Sequence, residues 1–190
     1  MNEDLPDLIR QRHSTRDYTD DPVSHDDLVS IIEAGCQAPS SKNNQPWSVI
    51  VAEQPALRNI VDKAVRGIAL AEPGARETIN IINSAPACIF VFLDANSESE
   101  RYFAHVLSVG AFMENMMLRA CSLGLGSLWC GDILYYREEF KNALGSDSPP
   151  IAALVIGYEN TPEPPKKHKR PCDIIRRWVN EQPLSDSQTY

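Results

Sequence analysis

The chain has few basic residues, no uninterrupted apolar run of membrane-spanning length and no closely spaced cysteine pair. Its 18 lysines and arginines face 26 aspartates and glutamates, which gives a net charge of −8. A general binder of nucleic acids or anionic membranes needs a basic field, so neither kind of partner is expected. The most apolar long stretch, residues 102–128, is interrupted by polar side chains, namely His105, Glu114, Asn115 and Arg119. It therefore predicts a buried helix rather than a membrane span.

The five cysteines stand alone, at positions 36, 88, 121, 130 and 172. An odd count without a C-x-x-C pair predicts neither a disulfide framework nor a zinc site. Most of these cysteines have apolar neighbours in the sequence, and we expect them to be small core residues. The acidic first residues, MNEDLPDLI, lack the apolar segment of a signal peptide, so a reducing cytoplasm is the expected location.

A length of 190 residues with 43% hydrophobic residues suits a single domain, residues 1–190, with its own core. The spacing of apolar residues predicts helices at about 5–12, 24–37, 55–64, 101–123 and 137–144. It predicts strands at about 47–52, 87–93, 125–130 and 150–158. Residues 67–80 are weakly patterned and predict a mobile loop and helix over the site. A basic, proline-rich tail follows the last strand and ends in a short amphipathic piece at 174–179.

Two arginines, a histidine and a hydroxyl lie close together in RHSTR, residues 12–16, which we call the arginine segment. It follows the first predicted helix. A phosphate monoester is bound by planar, permanently charged guanidinium groups together with neutral donors. A solvated basic helix end, where arginine meets the negative end of the helix dipole, accounts for the same pattern equally well. Taken alone, the segment leaves both interpretations open.

The sequence PSSKNNQP, residues 39–46, links a predicted helix to a predicted strand, and we call it the proline–serine loop. Its two prolines restrict the backbone. The side chains of Ser40, Ser41, Asn43 and Gln45 are suited to hydrogen-bond the hydroxyl groups or the polar ring edge of a ligand. The same residue types form ordinary polar turns. Together with the arginine segment, the loop favours a polar ligand that carries a phosphate.

Two weaker patterns lie towards the end of the chain. The sequence LGLGSLWCG, residues 123–131, lacks the strand-to-helix glycine series of a dinucleotide fingerprint. A helix end with a tight turn is its favoured interpretation, and close approach of the backbone to a flat ligand is the alternative. The basic run, Lys166, Lys167, Lys169 and Arg170, is typical of a targeting signal or a solvated tail. A second phosphate contact is the sharper hypothesis, since ligands bind at strand ends of open sheets.

The order and separation of these segments resemble the nitroreductase family of FMN-dependent oxidoreductases. RHSTRDY resembles the family's first flavin-phosphate motif, and APSSKNNQPW resembles its proline–serine loop, which contacts the flavin from the other subunit. The sequence SVGAFMENMMLRACSLGLGSLW resembles the family's long interface helix and the glycine-containing turn that ends it. PPIAALVIGY followed by KHKRP is similar to the last core strand and its basic flavin contact. The resemblance spans residues 5 to about 178.

The resemblance implies an α+β fold: a mixed, mainly antiparallel central sheet flanked by helices on both sides, in an intertwined homodimer. The interface would contain the helix at 104–121, where a charge at Met113 or Met117 would weaken the dimer. The near-uniformly apolar character of this helix agrees with that, because one 190-residue subunit can hardly cover it alone. The tail, residues 164–190, is a candidate to reach the partner subunit.

The resemblance also implies which residues bind FMN. In the arginine segment, the phosphate and ribityl group would be bound by Arg12, His13, Ser14 and Arg16. Across the interface, the isoalloxazine ring would be met by Pro39, Ser40, Ser41 and Asn43. Gly131 would lie near the reactive edge of the flavin, and the phosphate would be reached from the tail by Lys169 and Arg170.

The implied chemistry belongs to the cofactor. NADH or NADPH would deliver hydride to flavin N5 and leave, and a small oxidant such as a nitroaromatic or a quinone would follow in a ping-pong sequence. Arg16 is the candidate to stabilise the negative charge of the reduced ring. Another flavin reaction on the same scaffold, such as reductive dehalogenation or an oxidation, is one alternative. A flavin-binding protein without turnover is the other. The sequence gives no hint of the physiological oxidant.

Overall fold

The computed structural model describes residues 4–68, 74–95, 98–162 and 168–177. The helices and strands there follow one another as α1 (Leu5–Gln11), α2 (His25–Cys36), β1 (Trp47–Glu53), α3 (Ala56–Val65), α4 (Ala75–Ser84), β2 (Ala87–Leu93), α5 (Tyr102–Ser122), β3 (Gly126–Cys130), α6 (Arg137–Leu144), β4 (Ala152–Gly157) and α7 (Pro171–Ile174). Short 3-10 helices lie at Ser41–Asn43 and Asp132–Tyr136.

Local chemistry accounts for the ends of the two helices that matter most for the site. The Ser24 hydroxyl accepts the backbone N–H of Asp27 at 3.0 Å and so begins α2, as the sequence predicts. After α5, Gly124 adopts a φ of +73°, the left-handed conformation in which glycine ends a helix without strain. The chain therefore leaves α5 abruptly, and only three residues, 123–125, separate the end of α5 from the start of β3.

The four strands form one sheet in the order β1-β2-β4-β3. All three strand pairs are antiparallel. A parallel pairing occurs only as an isolated bridge between Ser14 and Ser127, within the described residues. The predicted α+β class is confirmed, and β1 and β3 form the two edges of the sheet.

Helices cover both faces of the sheet, as predicted. Alternate residues of β2 point to opposite sides, as the strand period of two requires. Cys88, Phe90 and Phe92 belong to a core formed with α3, α4 and α6. Ile89 and Val91 belong to a second core formed with α2 and α5. The sheet is therefore buried on both sides.

Helix α5 is buried on one side only. Phe112 packs there, and its ring stacks on Trp47 with the ring centroids 4.9 Å apart. Met113 and Met117 are 0% and 5% exposed within this chain, so they belong to its internal core, and a charge at either would disrupt that core. An interface at this helix stays a prediction. The opposite side instead exposes Phe103 (79%) and Leu107 (75%).

The boundaries differ from the predicted ones mainly in the irregular parts. Helix α4 occupies the second part of the weakly patterned stretch, and residues 69–73 lie outside the described residues. The short helix α7 precedes the amphipathic piece predicted at 174–179 and shares only Ile174 with it; residues 175–177 are not helical, and 178–190 lie outside the described residues. None of the helices in the described part is both long and apolar enough to cross a bilayer.

The cysteines form no disulfide, and no cluster of metal-ligating side chains exists among the described residues. Cys88 and Cys130 are buried core residues, as expected of an apolar context. Cys36 and Cys172 are exposed, so the core assignment does not extend to them.

Candidate functional site

The arginine segment runs along the edge strand β3. Helix α1 ends where the backbone N–H of Arg12 donates to the Leu8 carbonyl, and the chain then becomes extended. The backbone N–H of Thr15 donates to the Ser127 carbonyl at 3.0 Å. A Cβ on Gly126 would lie 2.5 Å from the Thr15 Oγ1 atom, so glycine is needed for this close approach. The segment is thereby fixed in register with β3.

A second set of bonds ties the same stretch to the end of β4. His13 Nε2 lies 2.8 Å from a carboxylate oxygen of Glu159, and the Thr15 hydroxyl donates to the same oxygen at 3.4 Å. The backbone continues the contact through an antiparallel bridge between Tyr18 and Glu159. The Tyr18 hydroxyl donates to the Thr15 carbonyl at 2.7 Å. His13 and Thr15 thus share one carboxylate.

The two arginines make other contacts. Arg12 Nε lies 3.7 Å from a carboxylate oxygen of Glu114 on α5, and the Arg12 side chain is 22% exposed. An Arg16 nitrogen, Nη1, donates to the Ser14 carbonyl at 3.1 Å, which folds its guanidinium back over the segment. The segment therefore divides into two groups: one directed to Glu159, and one that carries the guanidinium charges.

Arg16 also acts on the end of β3. Burial raises the pKa of the Cys130 thiol to about 12, the Asp132 carboxylate adds to that rise, and the Arg16 guanidinium opposes it. Burial likewise raises the pKa of the Tyr18 phenol, again opposed by Arg16. The positive charge of Arg16 therefore lies near the end of β3, where Gly131 follows, while the Cys130 thiol stays neutral at physiological pH.

A hydrogen bond joins this strand end to α4. The Thr78 hydroxyl donates to Asp132 Oδ2 at 2.9 Å, and a Cβ on Gly74 would lie 2.8 Å from the same oxygen. A Cβ on Gly131 would meet no atom within 4 Å, so the space beside its backbone is open. Sequence reasoning missed Asp132 and Thr78, since neither belongs to a local motif.

The proline–serine loop is held by few bonds and has unusual backbone conformations. The backbone N–H of Gln45 donates to the Ser40 hydroxyl at 2.9 Å, which closes the loop on itself. The backbone N–H of Ser41 donates to the hydroxyl of Ser108 on α5 at 3.3 Å. Three residues have positive φ values of 48–55°: Lys42, Asn43 and Gln45. Such conformations cost free energy for residues other than glycine.

Within one chain, the arginine segment and the proline–serine loop lie on different sides of α5. The loop bonds to Ser108, and Arg12 pairs with Glu114. These two helix positions are about 9 Å apart along the axis and about 120° apart around it. The fold of a single chain thus leaves the two candidate groups separated by the body of the helix.

The family of this chain is established by a match to a family model: residues 9–158 match the nitroreductase family. The chain belongs to the nitroreductase family. An Archaeoglobus fulgidus protein, provisionally named an NADH dehydrogenase/NAD(P)H nitroreductase, is 33% identical over 137 residues, which cover 72% of this chain and 71% of that protein.

Solved structures agree with the family assignment. A nitroreductase-like family protein from Bacillus cereus superposes with a TM-score of 0.81 at 25% identity, over 96% of this chain and 98% of that one. A provisionally named nitroreductase from Desulfovibrio desulfuricans, solved in complex with FMN, has a TM-score of 0.73 at 28% identity. This second superposition covers 97% of this chain and 100% of the Desulfovibrio chain.

In this nitroreductase-family chain, residues 168–177 are the described part of the basic tail, and the bonds that Arg170 forms there are local. Both Nε and Nη2 of Arg170 donate to the Asp173 carboxylate, at 3.3 and 3.2 Å, and these bonds lower the pKa of Asp173. Lys169 and Arg170 are exposed. Within the described residues, neither forms a hydrogen bond or an ion pair with the arginine segment. Their role at a phosphate stays a prediction.

Proposed function

We propose that this chain is an FMN-dependent oxidoreductase that takes hydride from NADH or NADPH and passes electrons to a small oxidant such as a nitroaromatic or a quinone. The observation that carries the proposal is the arginine segment, fixed along β3 by Thr15 and Ser127 inside the part of the chain that matches the family. The FMN complex of the Desulfovibrio protein and the NAD(P)H name of the Archaeoglobus protein support the choice of cofactors.

The donors available along this edge fit a phosphorylated, elongated ligand. Guanidinium groups bind phosphate through paired N–H donors. In Arg12, the Nε side of the guanidinium faces Glu114, so the ion pair leaves its outer edge for an anion. Ser14 adds a hydroxyl, and Arg16 brings positive charge to the other end of the segment, near Cys130. These charges favour one orientation of FMN, with its phosphate near Arg12 and its isoalloxazine ring near Arg16.

The flavin site in our proposal is shared between the two subunits of a homodimer. The proline–serine loop of one chain is separated from its own arginine segment by α5, so the loop of a second chain is the better partner. The outer stripe of α5, namely Phe103, Leu107, Gly110 and Glu114, has the spacing of one helix face. Large exposed apolar side chains on one face are typical of a contact surface.

Bound FMN supplies the hydride-accepting and electron-donating chemistry. The residues of this chain then have positioning and electrostatic tasks. Arg16 would stabilise negative charge on the pyrimidine side of the ring, and the open space at Gly131 would let the ring approach the backbone. No thiol step is included, because the pKa of Cys130, raised to about 12, keeps this buried side chain protonated.

The test begins with the flavin. The purified protein should release FMN rather than FAD on denaturation, and anaerobic addition of NADH or NADPH should bleach the bound flavin. Small oxidants should then restore the oxidised spectrum. Double-reciprocal plots at several oxidant concentrations should be parallel, because nicotinamide and oxidant would occupy one ring face in turn. Colourless protein that takes up no added FMN would overturn the proposal, and intersecting lines would overturn its ping-pong sequence.

A further inference from the structure

We propose that Glu159, at the end of β4, is a positioning residue that keeps His13 as an imidazolium and so adds a positive charge to the arginine segment. The inference rests on the proposed FMN site, because it concerns the charge offered to the phosphate. Its starting point is a pair of contacts on one ring. His13 Nδ1 lies 2.8 Å from the Gln11 carbonyl oxygen, and Nε2 lies 2.8 Å from the Glu159 carboxylate.

Hydrogen-bond chemistry determines the charge of the ring. A backbone carbonyl and an ionised carboxylate only accept hydrogen bonds. A neutral imidazole donates from one nitrogen and accepts at the other, so it satisfies only one of these two contacts. An imidazolium donates from both. The arrangement around His13 therefore favours the protonated ring, provided that Glu159 is ionised.

The charged groups around His13 act in both directions. The Glu159 carboxylate approaches from the end of β4 and is 21% exposed, which limits its screening by water. Arg12 and Arg16 belong to the same segment as the ring and oppose its protonation by charge repulsion. Tyr18 stays neutral because burial raises the pKa of its phenol. Among these groups, the Glu159 carboxylate, 2.8 Å from His13 Nε2, offsets the charge of the two arginines at this ring.

The contact also explains why a carboxylate is tolerated near a proposed phosphate site. A bare negative charge there would repel the ligand. Glu159 is instead engaged by His13 and by the Thr15 hydroxyl, and the ring returns a positive charge to the segment. Two hypotheses therefore predict opposite results when Glu159 is neutralised. If Glu159 only repels the phosphate, FMN should bind more tightly. If Glu159 keeps His13 protonated, FMN should bind more weakly at alkaline pH.

The test compares wild type, Glu159→Gln and Asp17→Asn. Glutamine keeps a hydrogen-bond acceptor but removes the charge. Asp17→Asn removes one negative charge nearby, at a side chain that accepts from Asn160 Nδ2 at 3.1 Å and does not contact the ring. The His13 ring is followed by carbon-13 NMR of labelled histidine in the full chain, and its signal is assigned by its loss in His13→Gln. FMN and riboflavin affinities are measured by flavin fluorescence between pH 6 and 8.5.

We expect the His13 ring in Glu159→Gln to lose its proton about one pH unit lower than in wild type or in Asp17→Asn. At pH 8, FMN binding to Glu159→Gln should be about fivefold weaker, and riboflavin binding unchanged. The second ionisation of the FMN phosphate is common to all three proteins, so it cancels in ratios to wild type.

Three results would overturn the inference. One is a His13 ring that titrates like an unperturbed histidine in wild type, near pH 6.5, which needs no variant to fold. Another is the same titration in Glu159→Gln as in wild type. The third is a shifted titration without an FMN-specific loss of affinity. The NMR arm does not depend on flavin, so a protein that binds no FMN would overturn the proposed function and leave the ring titration to decide the role of Glu159.

Discussion

The arginine segment and the proline–serine loop are both candidate flavin-binding regions, but the fold supports them differently. The arginine segment is bonded to β3 through Thr15 and to the end of β4 through Glu159, so one chain fixes its conformation. The proline–serine loop is tethered to α5 through Ser108 and carries left-handed conformations at Lys42, Asn43 and Gln45. The first region is complete within a chain, whereas the second has strain that binding to a ligand or a partner would offset.

The largest expected effect comes from disrupting the proposed homodimer, because that would remove the loop of the second chain from the proposed site while leaving the arginine segment intact. Leu107→Glu places a charge in the centre of the outer α5 stripe, and burying an unpaired charge costs several kcal/mol. We expect dimer dissociation to become at least about a hundredfold easier, with loss of bound FMN. Light scattering combined with absorbance measures both.

The control for Leu107→Glu is Val51→Glu, which adds the same charge at an exposed apolar position, 39% exposed, on the opposite edge strand β1. That variant should remain dimeric and yellow. A Leu107→Glu protein that is monomeric but retains FMN at wild-type affinity would show that the loop of a second chain does not take part in the site.

The next largest effect tests the segment itself. Arg12→Ala should weaken FMN binding about ten- to a hundredfold, since a hydrogen bond to a charged group contributes about 1.5–3 kcal/mol. Riboflavin, which lacks the phosphate, should be bound almost as well as by wild type. Arg10→Ala is the matched control, because Arg10 is an exposed arginine of α1 that pairs with Asp7. Equal losses for both ligands would mean that Arg12 does not bind the phosphate.

A smaller effect tests the attachment of the segment to the edge strand. Gly126→Ala would bring a Cβ to 2.5 Å from Thr15 Oγ1, and such overpacking costs about 1–3 kcal/mol. We expect the free energy of unfolding, measured by urea denaturation, to decrease by that amount. FMN binding should also weaken, because the arginine segment would move. Gly131→Ala, where the new methyl group meets no atom within 4 Å, serves as the stability control. Equal stabilities would contradict the close approach at Gly126.

The smallest effect concerns the tether of the loop. Ser108→Ala removes the hydroxyl that accepts from the Ser41 backbone and donates to the Ala104 carbonyl. A neutral hydrogen bond contributes about 1 kcal/mol, so FMN affinity should fall about fivefold. Ser122→Ala on the same helix, where the hydroxyl donates to the Arg119 carbonyl, should have no effect on FMN. An unchanged affinity in Ser108→Ala would mean that the loop is positioned without this tether.

The arginine segment can be recognised in the sequence as a candidate phosphate site, because its charges and hydroxyls are consecutive. Its supports cannot be recognised in this way. His13 and Glu159 are 146 residues apart, and no local periodicity brings them together. The same holds for Thr78 and Asp132, which join α4 to the end of β3. Long-range pairs of this kind follow from the order of strands in the sheet, which the sequence does not specify.

Helix α5 shows a different limit. Its length and its glycine end are predicted closely, because a long apolar stretch and the glycine that follows it both indicate the same helix. Its faces are not predicted, since a helix that is apolar nearly all round gives no period to choose between them. Met113 is therefore an internal core residue, whereas Leu107 is the exposed one.

The pairing of Ser14 with Ser127 gives the arginine segment a task unrelated to ligands. Strand β3 is the last in the sheet, and an uncovered edge offers unpaired N–H and C=O groups to any other extended chain. The backbone N–H of Thr15 donates a hydrogen bond to the Ser127 carbonyl, so the segment covers part of that edge. Deleting the first residues through the segment should therefore produce self-association through β3 as well as loss of affinity for FMN. Selection against aggregation would then preserve the extended backbone of this segment even where its side chains vary.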